Sequence, residues 1–98
     1  MIVQYFAVYL RPTRSNFSKT MSEKERYIMQ EHVIYWKEKM NEGKVVAFGP
    51  VIDPRETYGL GIVMVENEKE LLDFIENDPA SQINRYEYYP MRAVVPLK

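Results

Sequence analysis

The single histidine of this chain, His32, is the side chain best suited to moving a proton. Its imidazole changes protonation state near neutral pH and can act as a general acid or a general base. It lies beside an apolar stripe of helical spacing, so it is either a satisfied core residue or a working group on the edge of a buried face. The stripe consists of Met29, Val33, Trp36 and Met40.

Other kinds of reactive site are poorly represented. The chain contains no cysteine, which excludes thiol nucleophiles, disulfide frameworks and thiolate zinc sites. One histidine with scattered carboxylates is a weak ligand set, so we expect no metal. Gly59 and Gly61 lie within a predicted strand rather than in a loop between a strand and a helix. The dinucleotide and phosphate-loop motifs are therefore absent, and we expect no cofactor.

The composition is that of one small domain spanning residues 1–98. Thirteen Lys and Arg against fourteen Asp and Glu give a net charge of −1, so we expect no nucleic-acid partner. No apolar run approaches about 20 residues, and no basic leader precedes a cleavage site, so we expect neither a membrane span nor a signal peptide. The lack of cysteine favours the cytoplasm.

The helix that carries His32 is bounded by capping residues. Ser22 and Glu25 have the spacing of a capping box, which predicts that the helix starts there. Gly43 tolerates the left-handed conformation that ends a helix, so we expect the helix to run to Glu42. At about 100° per residue, the apolar stripe covers about 60° of arc, and His32 lies at its edge.

The order of the predicted elements is strand, helix, two strands, helix and strand. This β-α-β-β-α-β order is typical of the α+β ferredoxin-like sandwich, in which both helices cover one face of an antiparallel sheet. The first three strands are apolar on both faces, so we expect a homodimer with sheet against sheet, as in a dimeric α/β barrel. Segment 11–21 lacks periodicity and is predicted to be a mobile loop. The predicted strands are 2–10, 44–52, 59–65 and 85–95, and the second helix runs from 67 to about 77.

Four segments closely resemble the YciI-like, or YCII-related, proteins, and the similarity spans nearly the whole chain. The specific part is the order of a helix histidine, a Gly-Pro at the end of a strand and an Asp-Pro after the second helix. The segments are 31–36 (EHVIYW), 43–51 (GKVVAFGPV), 58–62 (YGLGI) and 77–80 (NDPA).

The resemblance implies a dimeric ferredoxin-like domain with a pocket lined by a histidine and an aspartate, here His32 and Asp78. A few relatives are thought to act on substituted aromatic rings, for instance by eliminating chloride from a chlorinated hydroxyquinol, which is an analogy of fold for this chain. Many members carry an arginine one turn before the histidine, where this chain has Met29. An anion site would then need Arg11 or Arg14 instead.

An imidazole and a carboxylate suit proton transfer, because the carboxylate fixes the tautomer of the ring and stabilises the imidazolium. An aromatic or enolic substrate would stack on the aromatic walls of the pocket, and the backbone N–H groups near Gly49 would approach a substrate oxygen. The residues expected to bind substrate are Tyr5, Arg11, Trp36, Phe48, Gly49 and Pro50.

Two functional hypotheses follow. The first is a cofactor-free lyase or isomerase in which His32 is the acid or base and Asp78 orients it. The alternative is a non-catalytic, dimeric module that binds a small molecule and uses both residues to line or brace the pocket. A structural interpretation of Asp78 also stays open, because it precedes Pro79 and would cap a helical turn over 80–83.

Overall fold

In the computed structural model, which describes residues 2–96, two long helices cover one face of a four-stranded antiparallel sheet. The strands are β1 (Gln4–Pro12), β2 (Val45–Val51), β3 (Tyr58–Val65) and β4 (Asn84–Met91), and the helices are α1 (Phe17–Thr20), α2 (Glu23–Asn41) and α3 (Glu68–Glu76). The sheet order is β2-β3-β1-β4. The ferredoxin-like α+β prediction is therefore confirmed. β4 is an edge strand, where the missing N–H of Pro90 is tolerated, and it ends at Met91 rather than at the predicted Val95.

The ends of α2 follow the predicted capping chemistry. The Ser22 hydroxyl accepts a hydrogen bond from the Glu25 N–H at 3.1 Å, and the Glu25 carboxylate accepts one from the Ser22 N–H at 2.8 Å. At the other end, Gly43 has a φ of +83°, and its N–H donates to the Met40 carbonyl at 2.9 Å. These two caps define where the helix begins and where it ends.

The buried face of α2 differs from the predicted stripe. Ile28, His32 and Trp36 are buried, whereas Val33 is 38% exposed. His32 therefore lies in the middle of the buried face and not at its edge. Apolar periodicity missed this because it treats an imidazole as polar, and a polar ring is buried readily where a partner satisfies its nitrogen.

The helix after the hairpin of β2 and β3 starts with a related cap. The Asn67 side chain accepts a hydrogen bond from the Glu70 N–H at 2.9 Å, while the Glu70 carboxylate reaches back to the Glu66 N–H at 2.8 Å. Leu71 and Phe74 of α3 then join the core formed with Trp36 and the inner face of the sheet. The core is thus shared by both long helices.

Segment 11–21 is more ordered in its contacts than the loop prediction implied. Its first two residues extend β1, and Phe17 is buried at the start of the short helix α1. The Arg14 guanidinium donates to both Glu25 carboxylate oxygens at 3.0 and 2.9 Å and to the Thr20 carbonyl at 2.8 Å. One buried ring and one ion pair hold this segment, and neither leaves a periodic pattern in the sequence.

The centre of the outer face of the sheet, opposite the helices, is apolar, as the sequence predicted, while Arg11, Arg85 and Glu87 lie on the same face towards one end. The period of two along a strand turns one set of side chains outward from each strand. Of these, Tyr89 is 55% exposed and Met91 is 41% exposed. The central outward-facing residues are Tyr5, Ala7, Tyr9, Leu60, Ile62 and Met64. In residues 2–96, no helix has the length and apolar character needed to cross a membrane.

Candidate functional site

A cavity of about 240 Å³ lies between α1, α2 and the strand ends of the β2–β3 hairpin. Its wall is almost wholly apolar, and His32 is the one histidine that lines it among the described residues. The polar side chains of Ser18, Thr57 and Asn84 also line it. The main apolar lining residues are Leu10, Phe17, Met21, Met29, Trp36 and Phe48.

His32 reaches the cavity from the middle of α2 with one ring nitrogen already engaged. Its Nδ1 lies 3.0 Å from each of the two Asp78 carboxylate oxygens. His32 is only 8% exposed and Asp78 only 1% exposed, so the pair is shielded from bulk water. With Nδ1 bonded to the carboxylate, Nε2 is the nitrogen left for a ligand.

Asp78 is positioned by the turn that follows α3. It is the N-cap of a short 3-10 turn, Pro79–Gln82, and its Oδ1 accepts a hydrogen bond from the Ala80 N–H at 3.0 Å. The capping interpretation and the pairing interpretation of Asp78 are therefore compatible, because one carboxylate makes both contacts.

Two further side chains donate to the same carboxylate. The Trp36 Nε1–H donates to Asp78 Oδ2 at 2.6 Å, and the Tyr86 hydroxyl donates to the same oxygen at 2.8 Å. Trp36 lies one helical turn after His32 on α2, whereas Tyr86 comes from β4, where it pairs with Leu10 on the inner face. Asp78 thus joins α2, the 3-10 turn and β4 in one buried network.

The network sets the charge of its members. Burial raises the pKa of Asp78, but the hydrogen bond and charge of His32, together with the Trp36 and Ala80 N–H groups, outweigh it and hold that pKa below its usual value. Burial, followed by the adjacent Asp78 charge, raises the pKa of Tyr86 far above its usual value. The same two causes raise the pKa of Tyr35 to about 12. Asp78 is therefore the anion of the network, and both phenols keep their protons.

Gly61 gives the Trp36 ring its place on the sheet. A Cβ atom at this position would collide with Cζ3 and Cη2 of Trp36. The ring lies 5.4 Å from that of Phe48 and 5.6 Å from that of His32 between centroids. The absence of a side chain at Gly61 thus leaves room for the indole ring in the position from which its N–H donates to Asp78.

Five of the eight predicted site residues line the cavity: His32, Trp36, Phe48, Gly49 and Pro50. Asp78, the other predicted catalytic residue, lies behind His32 and does not line the cavity, but its carboxylate contacts the imidazole directly.

The expectation that Tyr5 and Arg11 line the pocket is wrong for the cavity of this chain. Both occupy odd positions of β1, and the alternation of the strand turns them to the outer face, away from α2. The Arg11 guanidinium lies over the rings of Tyr9 and Tyr58, 5.2 and 4.5 Å from their centroids. Among the described residues, no lysine or arginine lines the cavity.

Tyr86 is not among the site residues predicted from the sequence. Alternation in β4 was a usable signal, because it puts Tyr86 and Tyr88 on the helix side of the sheet, and a buried phenol needs an acceptor. Within residues 2–96, no three His, Asp or Glu side chains come together to hold a metal ion.

Comparison with known proteins adds a family and a fold. The family described as the YCII-related domain matches residues 5–95. No curated protein matches the chain. A solved structure of 5-chloro-2-hydroxyhydroquinone dehydrochlorinase (TftG) from Burkholderia phenoliruptrix AC1100, in complex with 2,5-dihydroxybenzoquinone, is similar with a TM-score of 0.70. It is 16% identical and covers 90% of this chain and 93% of that chain, and at this identity the similarity shows the fold alone.

Proposed function

The chain belongs to the YCII-related domain family, as its motifs predicted, and on that premise we propose that it is a small enzyme of the lyase or isomerase type that transfers a proton without a cofactor. The observation that carries this proposal is the His32–Asp78 pair, buried at the wall of an apolar cavity. Acid–base pairs that are shielded from water at the wall of a cleft are typical of active sites.

The chemistry follows from the two nitrogens of the imidazole. While Nδ1–H donates to Asp78, Nε2 carries a lone pair and accepts a proton from a substrate C–H or O–H group. The carboxylate then stabilises the imidazolium that results. In an elimination from a phenolic ring, the proton taken from one hydroxyl group returns to the ring carbon that carries the leaving group, which gives a keto tautomer. Loss of a second hydroxyl proton then forms a C=O bond, the ring electrons shift to form a new C=C bond, and the leaving group departs as an anion. In an isomerisation, the proton returns to another carbon.

The cavity favours a neutral, planar substrate with a phenolic or enolic group. Trp36 and Phe48 offer aromatic surfaces for stacking. Because no lysine or arginine among the described residues lines the cavity, a carboxylate or phosphate there would lack a permanent positive charge beside it. TftG is named for a chlorinated hydroxyhydroquinone, which is a substrate of this class. We expect hydroquinone to bind at least ~10-fold more tightly than 2,5-dihydroxybenzoate, which adds a carboxylate to the same ring.

The test is chloride release from 5-chloro-2-hydroxyhydroquinone and from related chlorinated phenols. We expect turnover by the native chain and a loss of roughly 10²–10⁴-fold in His32→Gln. Tyr88→Phe is the matched control, because Tyr88 lies on the inner face of β4 but contacts Glu68 and not Asp78. Turnover that is equal in native and His32→Gln protein would rule out the proposed role of His32.

The second candidate is the non-catalytic binding module. The mainly apolar wall of the cavity favours it, because such a wall binds an apolar ligand and offers few groups that could take part in a reaction. In that case hydroquinone would bind, as seen by shifts of nearby NMR signals, while no chlorinated or enolic compound turned over. His32→Gln would then change only the affinity.

We also propose that a second copy of the chain covers the outer face of the sheet. The partly exposed aromatic and aliphatic side chains along β1 and β3 support this, because a monomer seldom leaves so large an apolar face in water. Sedimentation should show a dimer that dissociates in Ile62→Glu. Leu72→Glu, on the exposed side of α3, is the control and should stay dimeric. A native chain that sediments as a monomer would refute this proposal.

A further inference from the structure

Asp78 accepts more hydrogen bonds than are needed to orient a histidine. Its oxygens accept from His32 Nδ1, the Ala80 N–H, the Trp36 indole and the Tyr86 hydroxyl. A carboxylate offers about four lone-pair sites, so this one is fully used. Three of its four donors are neutral groups.

The three neutral donors reduce the positive charge that Asp78 requires from His32. A buried carboxylate whose main partner is an imidazole draws a proton onto that ring, because an unpaired buried charge is costly. Charge-assisted hydrogen bonds from an indole, a phenol and an amide disperse the same negative charge without adding a positive one. Asp78 then depends less on a positive charge on His32 to stay ionised.

We propose that Tyr86 is a positioning residue that, through Asp78, keeps His32 in the neutral form that accepts a proton. Tyr86 does not line the cavity, and its hydroxyl lies 2.8 Å from Asp78 Oδ2. The catalytic meaning of this role rests on the proposed function, because only a general base needs to be neutral at rest. The electrostatic role of Tyr86 can be measured without any substrate.

The aromatic groups packed around His32 are uncharged, so Asp78 is its charged neighbour among the described residues. Tyr58 of β3 lines the same cavity, and the Tyr35 hydroxyl donates to the Phe74 carbonyl at 2.8 Å. From β2, Phe48 packs its ring 6.4 Å from the imidazole between centroids. Among the described residues, Asp78 supplies the carboxylate within hydrogen-bond distance of the ring.

The test is an NMR titration of the imidazole in native, Tyr86→Phe and Asp78→Asn protein. The chain has one histidine, so its ring Cε1–H signal needs no assignment. Tyr86→Phe removes only the hydroxyl and concentrates charge on Asp78, so the titration midpoint of His32 should rise by roughly 1 pH unit. Asp78→Asn removes the anion and should lower the midpoint. The opposite signs separate a role in charge from a general loss of packing.

Tyr88→Phe is the matched control. Tyr88 lies two residues further along β4 on the same face, and its hydroxyl donates to Glu68 at 3.1 Å. The midpoint should stay within ~0.2 pH unit in this variant. An unchanged or lowered midpoint in Tyr86→Phe would overturn the proposal, even if His32 proved essential for turnover. Conversely, a raised midpoint with His32→Gln fully active would overturn the proposed function alone.

A second variant guards against a failure of Tyr86→Phe to fold. Trp36→Phe removes the other neutral side-chain donor to Asp78 Oδ2 and should also raise the midpoint. Once a substrate turns over, the acidic limb of the kcat/KM profile should move to higher pH in Tyr86→Phe by the same amount as the midpoint. A profile that stays in place while the midpoint moves would contradict the assignment of His32 as the base.

Discussion

Two carboxylates hold the surroundings of the cavity by different physical means. Asp78 is buried and is met by one imidazole and three neutral donors, whereas Glu25 is partly exposed and is met by both arms of the Arg14 guanidinium. The first network lies behind the reactive ring. The second ties α1, with the cavity-lining Phe17, to the start of α2.

The difference in burial between the two networks predicts a difference in their contribution to stability. In water, an exposed ion pair is screened, and its contribution to folding is small. In the interior, every donor to Asp78 would be left unsatisfied if the carboxylate were removed, and each unsatisfied group costs free energy. We therefore expect the buried network to be essential for folding and for the state of His32, and the exposed pair mainly to adjust one wall of the cavity.

The largest expected effect is that of Asp78→Ala. This variant leaves the Trp36 N–H, the Tyr86 hydroxyl and the His32 Nδ1–H without a buried acceptor. The free energy of unfolding should fall by about 3–5 kcal/mol, measured by urea denaturation at pH 7. The fall should be nearly independent of salt, since the site is shielded. A loss below about 1 kcal/mol would mean that water or rearranged side chains satisfy these donors.

The next effect in size is that of Gly61→Ala, which acts on the buried network through Trp36. The added methyl group collides with the indole ring, and a core that is overpacked in this way loses about 1–3 kcal/mol. Gly49→Ala is the matched control, because a Cβ atom there meets nothing within 4 Å. Urea unfolding and Trp36 fluorescence should both change in Gly61→Ala and stay nearly native in the control. Equal effects would indicate that backbone strain, and not the indole contact, is responsible.

Part of this organisation can be predicted from the sequence because it is local. The capping box at Ser22 and the left-handed Gly43 specify α2 from residues within one turn of each end. Proximity of His32 to Asp78 joins residues 46 positions apart, and it was expected only through the family resemblance. The error at Tyr5 has a different origin. A shift of one residue along a strand exchanges the two faces of a sheet, and composition alone does not fix that parity when both faces are apolar.

The contacts of Tyr86 and of α1 are features that the sequence alone does not predict. The Tyr86 phenol finds its acceptor only once β4 has paired with β1 and the 3-10 turn has packed on α2. The four residues of α1 are too few to show a helical period, and Phe17 alone anchors them in the core. Strand alternation indicates the face on which Tyr86 lies, but its acceptor and the anchoring of α1 depend on tertiary contacts, which neither propensity nor periodicity indicates.

The smallest expected effect is that of Glu25→Gln. The hydrogen bond from Arg14, followed by that from the Ser22 N–H, lowers the pKa of Glu25 from 4.5 to about 2. A carboxyl group whose pKa is lower in the folded state than in the unfolded state stabilises the fold when the pH is above the unfolded-state pKa. That contribution is lost as the pH falls through the folded-state pKa. The native chain should therefore exceed Glu25→Gln in stability at pH 6, and the difference should disappear between about pH 4.5 and pH 2. Glutamine keeps the capping-box acceptor, so the variant removes mainly the charge.

Thermal melts over this pH range, at low and at 1 M salt, measure the difference directly. The effect of Glu25→Gln should shrink in salt, whereas that of Asp78→Ala should not, because screening acts on the exposed pair and hardly reaches the buried one. Should Glu25→Gln destabilise the fold as much as Asp78→Ala, the Arg14–Glu25 pair would be part of the essential framework, and the segment carrying Phe17 would count as core. A small, salt-sensitive effect would instead mean that α1 lines the cavity without being required for the fold, while Asp78 sets the state of His32.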